Sequence, residues 1–224
     1  MGEKGLKLKN VEIYEKLAPK YDFATKVVSF GIEEFWRKKF VKTIKKQIKN
    51  GTLLDVASAT GDMAKSLDFE KMYLLDPSSE MNKIAKEKLK DKNVVFIEDF
   101  AESARIPEKV DLITAFMAVR NFDDLDKGIK NLDKYLKNGG YFAIVELTKN
   151  DSILFKLSMF YMSKIVPIIG GFITGEYESY KKFDKMIKNI RDEDILKNLE
   201  NYEIVEHIRL FPPIASLIIA RKNG

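Results

Sequence analysis

Five short apolar runs alternate with helical patterns between residues 52 and 147, and this alternation restricts the possible folds more than any other feature of the chain. The runs are Thr52–Ala57, Met72–Asp76, Val94–Ile97, Asp111–Phe116 and Tyr141–Leu147. Between them lie amphipathic segments such as Ser79–Lys90 and Leu125–Leu136, and Asn138-Gly139-Gly140 is a helix-termination signal after the second. Strands that alternate with helices in this way predict a parallel α/β sheet.

The C-terminal part has a different pattern. Glu203–Leu210 and Ile214–Arg221 are two strand-like runs joined by Phe211-Pro212-Pro213, which predicts an antiparallel hairpin at the sheet edge. We therefore expect an α/β fold, a Rossmann-like seven-stranded mixed sheet, in one domain. Its predicted parts are a helical cap over 1–50 with a helix from Asn10 to Ile48, a core over 51–147, a lid insertion over 148–190, and a C-terminal helix and hairpin over 191–224.

Composition excludes several kinds of chemistry. The 224 residues include no cysteine, so disulfides, thiolate metal sites and cysteine nucleophiles are ruled out. His207 is the one histidine, and we expect it at the surface or at a strand end. We therefore expect no metal. The net charge of +5 comes from lysines mixed with acids along the chain, which indicates solvated helix faces rather than a nucleic-acid surface, and the many charges suit an ion-pair-rich thermophile protein.

One apolar segment, Ile153 to Ile173, has about the length of a membrane span. Lys156 and Lys164 interrupt it, and Pro167 with Gly170-Gly171 is expected to break it. The pattern predicts an amphipathic helix and loop over an apolar pocket, with peripheral contact to a membrane. Because residues 1–10 are polar and basic, no signal peptide is expected and we predict a cytoplasmic protein.

Acidic side chains follow three successive predicted strands. Asp55 lies at the end of the first, Asp76 at the end of the second, and Asp99 just after the third. Ligands of such sheets lie beyond the carboxyl ends of the strands, where a carboxylate accepts hydrogen bonds from ribose hydroxyls. We expect Asp76 to bind a ribose and Asp99 an exocyclic adenine amine, with Phe100 covering the ring. Pro77 and Phe116 are also predicted to line this site.

The turn after the first strand indicates whether the ligand is a dinucleotide or a nucleoside without a pyrophosphate. Ala57, Ser58, Thr60 and Gly61 form a small-residue turn that allows close approach of the backbone, and N–H groups at the next helix start favour a carboxylate. The GxGxxG loop that binds the pyrophosphate of a dinucleotide is absent. We therefore predict S-adenosylmethionine as cofactor, with S-adenosylhomocysteine as product.

At these positions the sequence resembles the UbiE/MenG family, the C-methyltransferases of ubiquinone and menaquinone biosynthesis, from about Tyr21 to Arg221. The matching motifs are Tyr21-Asp22, Ser29-Phe30-Gly31, Trp36, the turn from Leu54 to Asp62, Asp76, Ser79, Met81, Asp99-Phe100, Val119-Arg120-Asn121, Lys137-Asn138-Gly139-Gly140, Glu146, Pro167, Gly170 and Ser179-Tyr180. The resemblance implies a class I methyltransferase fold and a donor site at the predicted position.

The chain departs from the family pattern at several points. Ser58 and Ala59 replace two glycines of the donor loop, and Glu33 stands where the family usually has histidine. Phe116 replaces a small polar residue, and Phe211-Pro212-Pro213 replaces a glycine-containing segment near the acceptor pocket. The donor half thus matches the family more closely than the acceptor half.

The resemblance implies methyl transfer to a ring carbon of a prenylated hydroquinone such as demethylmenaquinol. Arg120 is predicted to stabilise the developing oxyanion, and Asn121 to hold a water or a quinol hydroxyl. Tyr21, Tyr177 and Tyr180 are predicted to hydrogen-bond the acceptor. Two alternatives stay open: N- or O-methylation of a lipid headgroup or other small molecule, and donor binding without catalysis. The expected partner is a hydrophobic small molecule, and a homodimer is compatible with the sequence.

Overall fold

Seven strands form one sheet in the computed structural model, which describes residues 11–183 and 190–224. They are β1 (Thr52–Val56), β2 (Lys71–Leu75), β3 (Val94–Ile97), β4 (Val110–Phe116), β5 (Leu136–Leu147), β6 (Tyr202–Leu210) and β7 (Ala215–Lys222). The order across the sheet is β3-β2-β1-β4-β5-β7-β6. The first five strands are parallel, and β7 runs antiparallel to both β5 and β6. The predicted Rossmann-like mixed sheet is confirmed.

The helices cover both faces of this sheet and one of its ends. They are α1 (residues 11–17), α2 (Tyr21–Val28), α3 (Ile32–Gln47), α4 (Asp62–Leu67), α5 (Ser79–Lys88), α6 (Leu125–Asp133), α7 (Ile153–Phe160), α8 (Val166–Thr174), α9 (Tyr177–Phe183) and α10 (Asp192–Lys197). Short 3₁₀ helices cover Ala18–Lys20 and Val119–Asn121.

Alternate residues of each strand enter two hydrophobic cores, one on each face. Leu53 of β1 packs in the core that includes Trp36 and Phe40 of α3, whereas its neighbour Leu54 packs in the core that includes Ile129 of α6. Strands buried on both faces are nearly continuous apolar runs, which is why these segments were recognisable in the sequence. The sheet is therefore a rigid support for the loops at its carboxyl edge.

The N-terminal cap is not one helix. The predicted helix from Asn10 to Ile48 is wrong, because the chain turns between α2 and α3, where Phe30 and Gly31 have positive φ angles of 50° and 73°. The start at Asn10 lies outside the described residues. The break lets α1 and α2 fold against the insertion, where Ile13 and Leu17 share a small core with Val166 and Tyr180.

The insertion forms a continuous helical segment rather than a helix and a loop. A π-helical turn over Tyr161–Ile165 joins α7 to α8, so Pro167 falls at the start of α8, where the missing N–H of proline is tolerated. The predicted break at Pro167 and Gly170-Gly171 is therefore wrong. Among the described residues, Ile153–Thr174 is one helical stretch long and apolar enough to cross a membrane, with a mean hydropathy of 1.5.

One smaller prediction also fails. The helix expected to run to Leu136 ends at Asp133, and Asn138-Gly139-Gly140 lies inside β5, because Leu136 already pairs with Val110 of β4. His207 is exposed in the middle of β6, so its expected place at the surface is confirmed, and its ring bonds to Asp192 at 2.9 Å. The predicted C-terminal hairpin is confirmed at the sheet edge.

Candidate active site

A cavity of about 360 Å³ lies at the carboxyl ends of β1, β2, β3 and β4, next to α1, α2 and the start of α3. It gathers most of the residues that the sequence nominated. Those in its lining are Tyr21, Asp55, Ala57, Ser58, Thr60, Asp76, Pro77, Asp99, Phe100, Phe116, Arg120 and Asn121. Parallel strands bring these distant segments together because their carboxyl ends share one edge of the sheet.

Three nominated residues do not line this cavity. Gly61 ends the turn of residues 57–61 after β1, named the donor turn here, and faces away from the cavity: a Cβ there would lie 2.9 Å from a methyl of Leu89. Tyr180 is buried against Gly170, and Tyr177 packs beside Gly171. The structure thus does not bring Tyr177 and Tyr180 to the predicted acceptor site, because both tyrosines instead fix α9 against α8.

Asp55 has a carboxylate oxygen aimed at no protein partner. Its Oδ1 accepts a hydrogen bond from Thr114 Oγ1 at 2.7 Å. Its Oδ2 and the hydroxyl of Ser58 are buried, and neither has a hydrogen-bond partner among the described residues. Burial raises the pKa of Asp55 to about 7. Buried polar atoms are normally paired, so these two atoms fit a polar ligand, and the carboxylate suits a cationic one.

The second acid, Asp76, faces the cavity and also stabilises the donor turn. Asp76 Oδ2 accepts the N–H of Ala59 at 2.8 Å, and Oδ1 accepts the N–H of Ser78 at 2.9 Å. Burial raises the pKa of Asp76 to about 6, although both hydrogen bonds favour the charged form. A carboxylate has about four acceptor positions, so each oxygen retains capacity for a ribose hydroxyl.

The third acid is fixed by its own turn. Asp99 Oδ1 accepts from the N–H of Phe100 and from the hydroxyl of Ser103, each at 2.7 Å. These two contacts orient the carboxylate after β3, beside the cavity. The three acids therefore present acceptors at three neighbouring strand ends, an arrangement that fits the amine, ribose and adenine of one nucleoside.

A clasp of three charged residues and one hydroxyl, made of Lys88, Asp22, Asp62 and Thr60, joins the cap to the donor turn. Lys88 Nζ donates to Asp22 at 2.5 Å, Asp62 at 2.7 Å and Thr60 at 2.9 Å. The Thr60 hydroxyl in turn donates to Asp22 at 2.6 Å. Three elements that are distant in sequence, α2, α5 and the donor turn, are thus held together at one point. Sequence reasoning did not nominate Lys88, which carries no local signal of this role.

The other end of the cavity contains a buried cation. Arg120 Nη1 donates to Glu146 Oε1 at 2.6 Å, and the backbone N–H of Arg120 donates to Oε2 of the same carboxylate at 3.1 Å. Burial disfavours the charged guanidinium, but the Glu146 carboxylate outweighs it, and the pKa of Arg120 lies above its usual value. Arg120 is therefore a permanent positive charge at this end.

Two tyrosines lie beside this cation. The Tyr14 hydroxyl donates to Asn121 Oδ1 at 3.4 Å, and the Tyr14 and Tyr21 rings meet edge to face with centroids 6.3 Å apart. Burial raises the pKa of both phenols, so both are neutral hydrogen-bonding groups near pH 7. Tyr14 was not nominated from the sequence. Its spacing of seven residues from Tyr21, two helical turns, is the signal that could have found it.

Glu33 also lines this end, from the first turn of α3. Its carboxylate lies 3.9 Å from Arg37 Nη1, a long contact, while Arg37 lies closer to Asp62 at 3.3 Å. Burial raises the pKa of Glu33 above its ordinary value. Within 11–183 and 190–224, no group of three or more acidic or histidine side chains is arranged to hold a metal ion.

Comparisons with known proteins agree with this geometry. The model of the ubiE/COQ5 methyltransferase family matches residues 3–210. A demethylmenaquinone methyltransferase of Bacteroides fragilis is 31% identical over 97% of this chain and 94% of its own, and a ubiquinone/menaquinone biosynthesis C-methyltransferase of Geotalea daltonii is 34% identical over 87% and 86%.

A solved structure with a related ligand shows the same fold. The N-methyltransferase NodS of Bradyrhizobium japonicum, in complex with S-adenosylhomocysteine, superposes with a TM-score of 0.63 at 13% identity, over 86% of this chain and 88% of its own. The sheet order and the family match agree. This chain is an S-adenosylmethionine-dependent methyltransferase that belongs to the ubiE/COQ5 methyltransferase family.

Proposed function

We propose that this enzyme methylates a ring carbon of a prenylated hydroquinone such as demethylmenaquinol. One observation supports this most directly: a buried, permanently charged Arg120 and a polar Asn121 lie in the same cavity as the three donor-site acids. A cation at that place suits an acceptor that develops negative charge on oxygen. The related demethylmenaquinone methyltransferase of Bacteroides fragilis supports the same substrate class.

The donor-site residues position the cofactor. Asp55 and Ser58 would hold its amino acid end, Asp76 its ribose and Asp99 its adenine, as their unfilled acceptors and their cavity-facing positions suggest. The cofactor supplies an electrophilic methyl group on a sulfonium. Alignment in a cavity that excludes water provides a large part of the rate enhancement of such a reaction.

Arg120 would stabilise the acceptor oxygen. A phenol has a pKa near 10, so a neutral site must favour the phenolate for the neighbouring carbon to become nucleophilic. Arginine stays protonated and is a poor base, but its charge stabilises an oxyanion in a site of low dielectric. Asn121, oriented by Tyr14, would hold the hydroxyl or a water molecule.

The test is transfer of a labelled methyl group to reduced demethylmenaquinone and, in parallel, to phospholipids. We expect the quinol to be labelled and the phospholipids to remain unlabelled. Labelling of the headgroup alone would support the N- or O-methylation alternative. Arg120→Ala should lower turnover on the order of 100-fold or more while S-adenosylhomocysteine still binds by calorimetry. Unchanged turnover in that variant would remove Arg120 from the mechanism.

We further propose that the enzyme is cytoplasmic and meets its hydrophobic substrate at a membrane surface. Exposed apolar side chains recur along α7 and α8 and form an outward stripe. The stripe comprises Ile153, Leu157, Phe160, Ile168 and Phe172. Exposed Lys164 lies between Phe160 and Ile168 along the chain, and Lys156 is exposed nearby, so the face combines apolar burial with attraction to anionic headgroups.

Vesicle sedimentation tests this proposal. We expect the protein to bind vesicles that contain phosphatidylglycerol more tightly than pure phosphatidylcholine, and the double variant Ile168→Ser with Phe172→Ser to lose binding. Equal weak binding to both vesicles would contradict it. If the stripe instead joins two copies in a homodimer, analytical ultracentrifugation without lipid will show a dimer that the double variant converts to a monomer.

A further inference from the structure

The carboxylates in the cavity differ in one respect that bears on catalysis. Those at the donor end and in the clasp each accept at least one hydrogen bond: Asp22, Asp55, Asp62, Asp76 and Asp99. Glu33 accepts none from the described residues, and its single ion pair among them is the 3.9 Å contact with Arg37. Its side chain is 26% exposed, within the cavity lining. Glu33 is thus a carboxylate with free acceptor capacity.

Glu33 lies at the acceptor end. The charged and titratable groups that act on it are Arg37 on α3, Arg120 after β4, Asp62 on α4, and Asp22 and Tyr21 on α2. Burial raises its pKa, and the two arginines only partly oppose this effect. A carboxylate of raised pKa is a stronger base than an ordinary glutamate.

The proposed reaction needs such a group. A ring hydroxyl must lose its proton as the neighbouring carbon attacks, and Arg120 cannot accept it. Tyr14 and Tyr21, with raised pKa values, cannot accept it either. We propose that the Glu33 carboxylate is the general base that takes the hydroxyl proton of the ring acceptor, an inference that rests on the proposed hydroquinone substrate.

The proposed reaction passes one proton through Glu33. The hydroxyl proton moves to Glu33 as a bond forms between the ring carbon and the methyl group, and the electron pair of the sulfur–methyl bond stays on sulfur. The methylated carbon then loses its hydrogen to solvent as a proton. Glu33 returns its proton to the ring oxygen, which restores the aromatic hydroxyl. The net reaction releases one proton and leaves Glu33 as it began.

Three substitutions test the role. Glu33→Gln keeps the shape but cannot accept a proton, whereas Glu33→His replaces one base with another. Glu87→Gln, on the exposed side of α5, is the matched control. We expect Glu33→Gln to lower turnover on demethylmenaquinol by a factor on the order of 100 or more, and Glu33→His to retain most of it with a rise of turnover near pH 6.5. All variants should bind S-adenosylhomocysteine like the wild type.

A readout independent of turnover completes the test. In protein labelled with ¹³C-glutamate, the carboxyl signal that is missing from Glu33→Gln identifies Glu33. This signal should titrate with a midpoint above pH 4.5. Binding of a naphthol, an analogue of the ring acceptor, should shift the midpoint. If the wild type methylates the quinol but Glu33→Gln retains turnover within threefold from pH 6 to 9, only the Glu33 proposal is overturned. If the folded wild type binds S-adenosylhomocysteine but methylates no hydroquinone, the proposed substrate and the Glu33 role both fall.

Discussion

Glu146, at the end of β5 and without solvent exposure, accepts hydrogen bonds from both the guanidinium and the backbone N–H of Arg120. One carboxylate therefore sets the position of the side chain and of the 3₁₀ turn that bears it. Removal of this partner leaves a buried charge uncompensated.

We expect Glu146→Ala to lower the free energy of unfolding by about 3–5 kcal/mol, the usual cost of breaking a buried ion pair. Urea denaturation measures it, with Glu203→Ala on the exposed edge strand as control. A loss below about 1 kcal/mol would show that Arg120 finds another partner.

Asp55 should make stability depend on pH. Its pKa is about 7 in the folded protein, above the ordinary 3.8, so the folded state binds a proton more tightly than the unfolded state. The resulting stability is fully present below pH 3.8 and is lost as the pH rises through 7. The side chain in Asp55→Asn cannot ionise. The free energy of unfolding of this variant, relative to that of the wild type, should therefore increase as the pH rises from 5 to 8. Thermal melts of the ligand-free proteins check this, and parallel curves would contradict it.

The clasp around Lys88 predicts a coupling between the cap and donor binding. In Lys88→Met the carboxylates of Asp22 and Asp62 lose their shared cation, so α2 should exchange its amide hydrogens faster and S-adenosylhomocysteine should bind about 10-fold more weakly, a loss of about 1.4 kcal/mol. Lys83→Met, on the exposed face of the same helix, is the control. Exchange rates of residues 21–28 equal to those of the wild type would refute the coupling.

Gly170 allows α8 and α9 to approach closely. A Cβ at this position would lie 2.5 Å from the ring of Tyr180, so Gly170→Ala should destabilise the protein by about 1–3 kcal/mol despite the better helix propensity of alanine. In a Tyr180→Ala background the penalty should disappear, because the ring that clashes is gone. A penalty of the same size in both backgrounds would place the strain elsewhere.

The sequence was sufficient to bring Asp55, Asp76 and Asp99 to one cavity, because the strand pattern alone places them at one edge of the sheet. The same reasoning could not find Lys88, since its role depends on how α2, α5 and the turn after β1 meet. The sequence also predicted a helix break at Pro167, which is wrong. A π-helical turn precedes α8, so Pro167 falls at a position where its missing N–H is tolerated, and this turn has no sequence signature here. It placed Tyr177 and Tyr180 at the acceptor because the insertion was expected to cover the pocket, whereas both side chains pack against the glycines of α8.

The backbone of the donor turn suggests a thermal consequence. Ala57 and Ala59 have positive φ angles of 51° and 46°, a conformation that costs alanine about 1–2 kcal/mol each and that glycine adopts freely. Alanine gains stability over glycine only where its φ is unstrained, so the folded site must hold this turn against that cost, partly through the bond from the Ala59 N–H to Asp76. Loosening of this support on heating should therefore weaken nucleoside affinity more than in an enzyme with a glycine-rich turn.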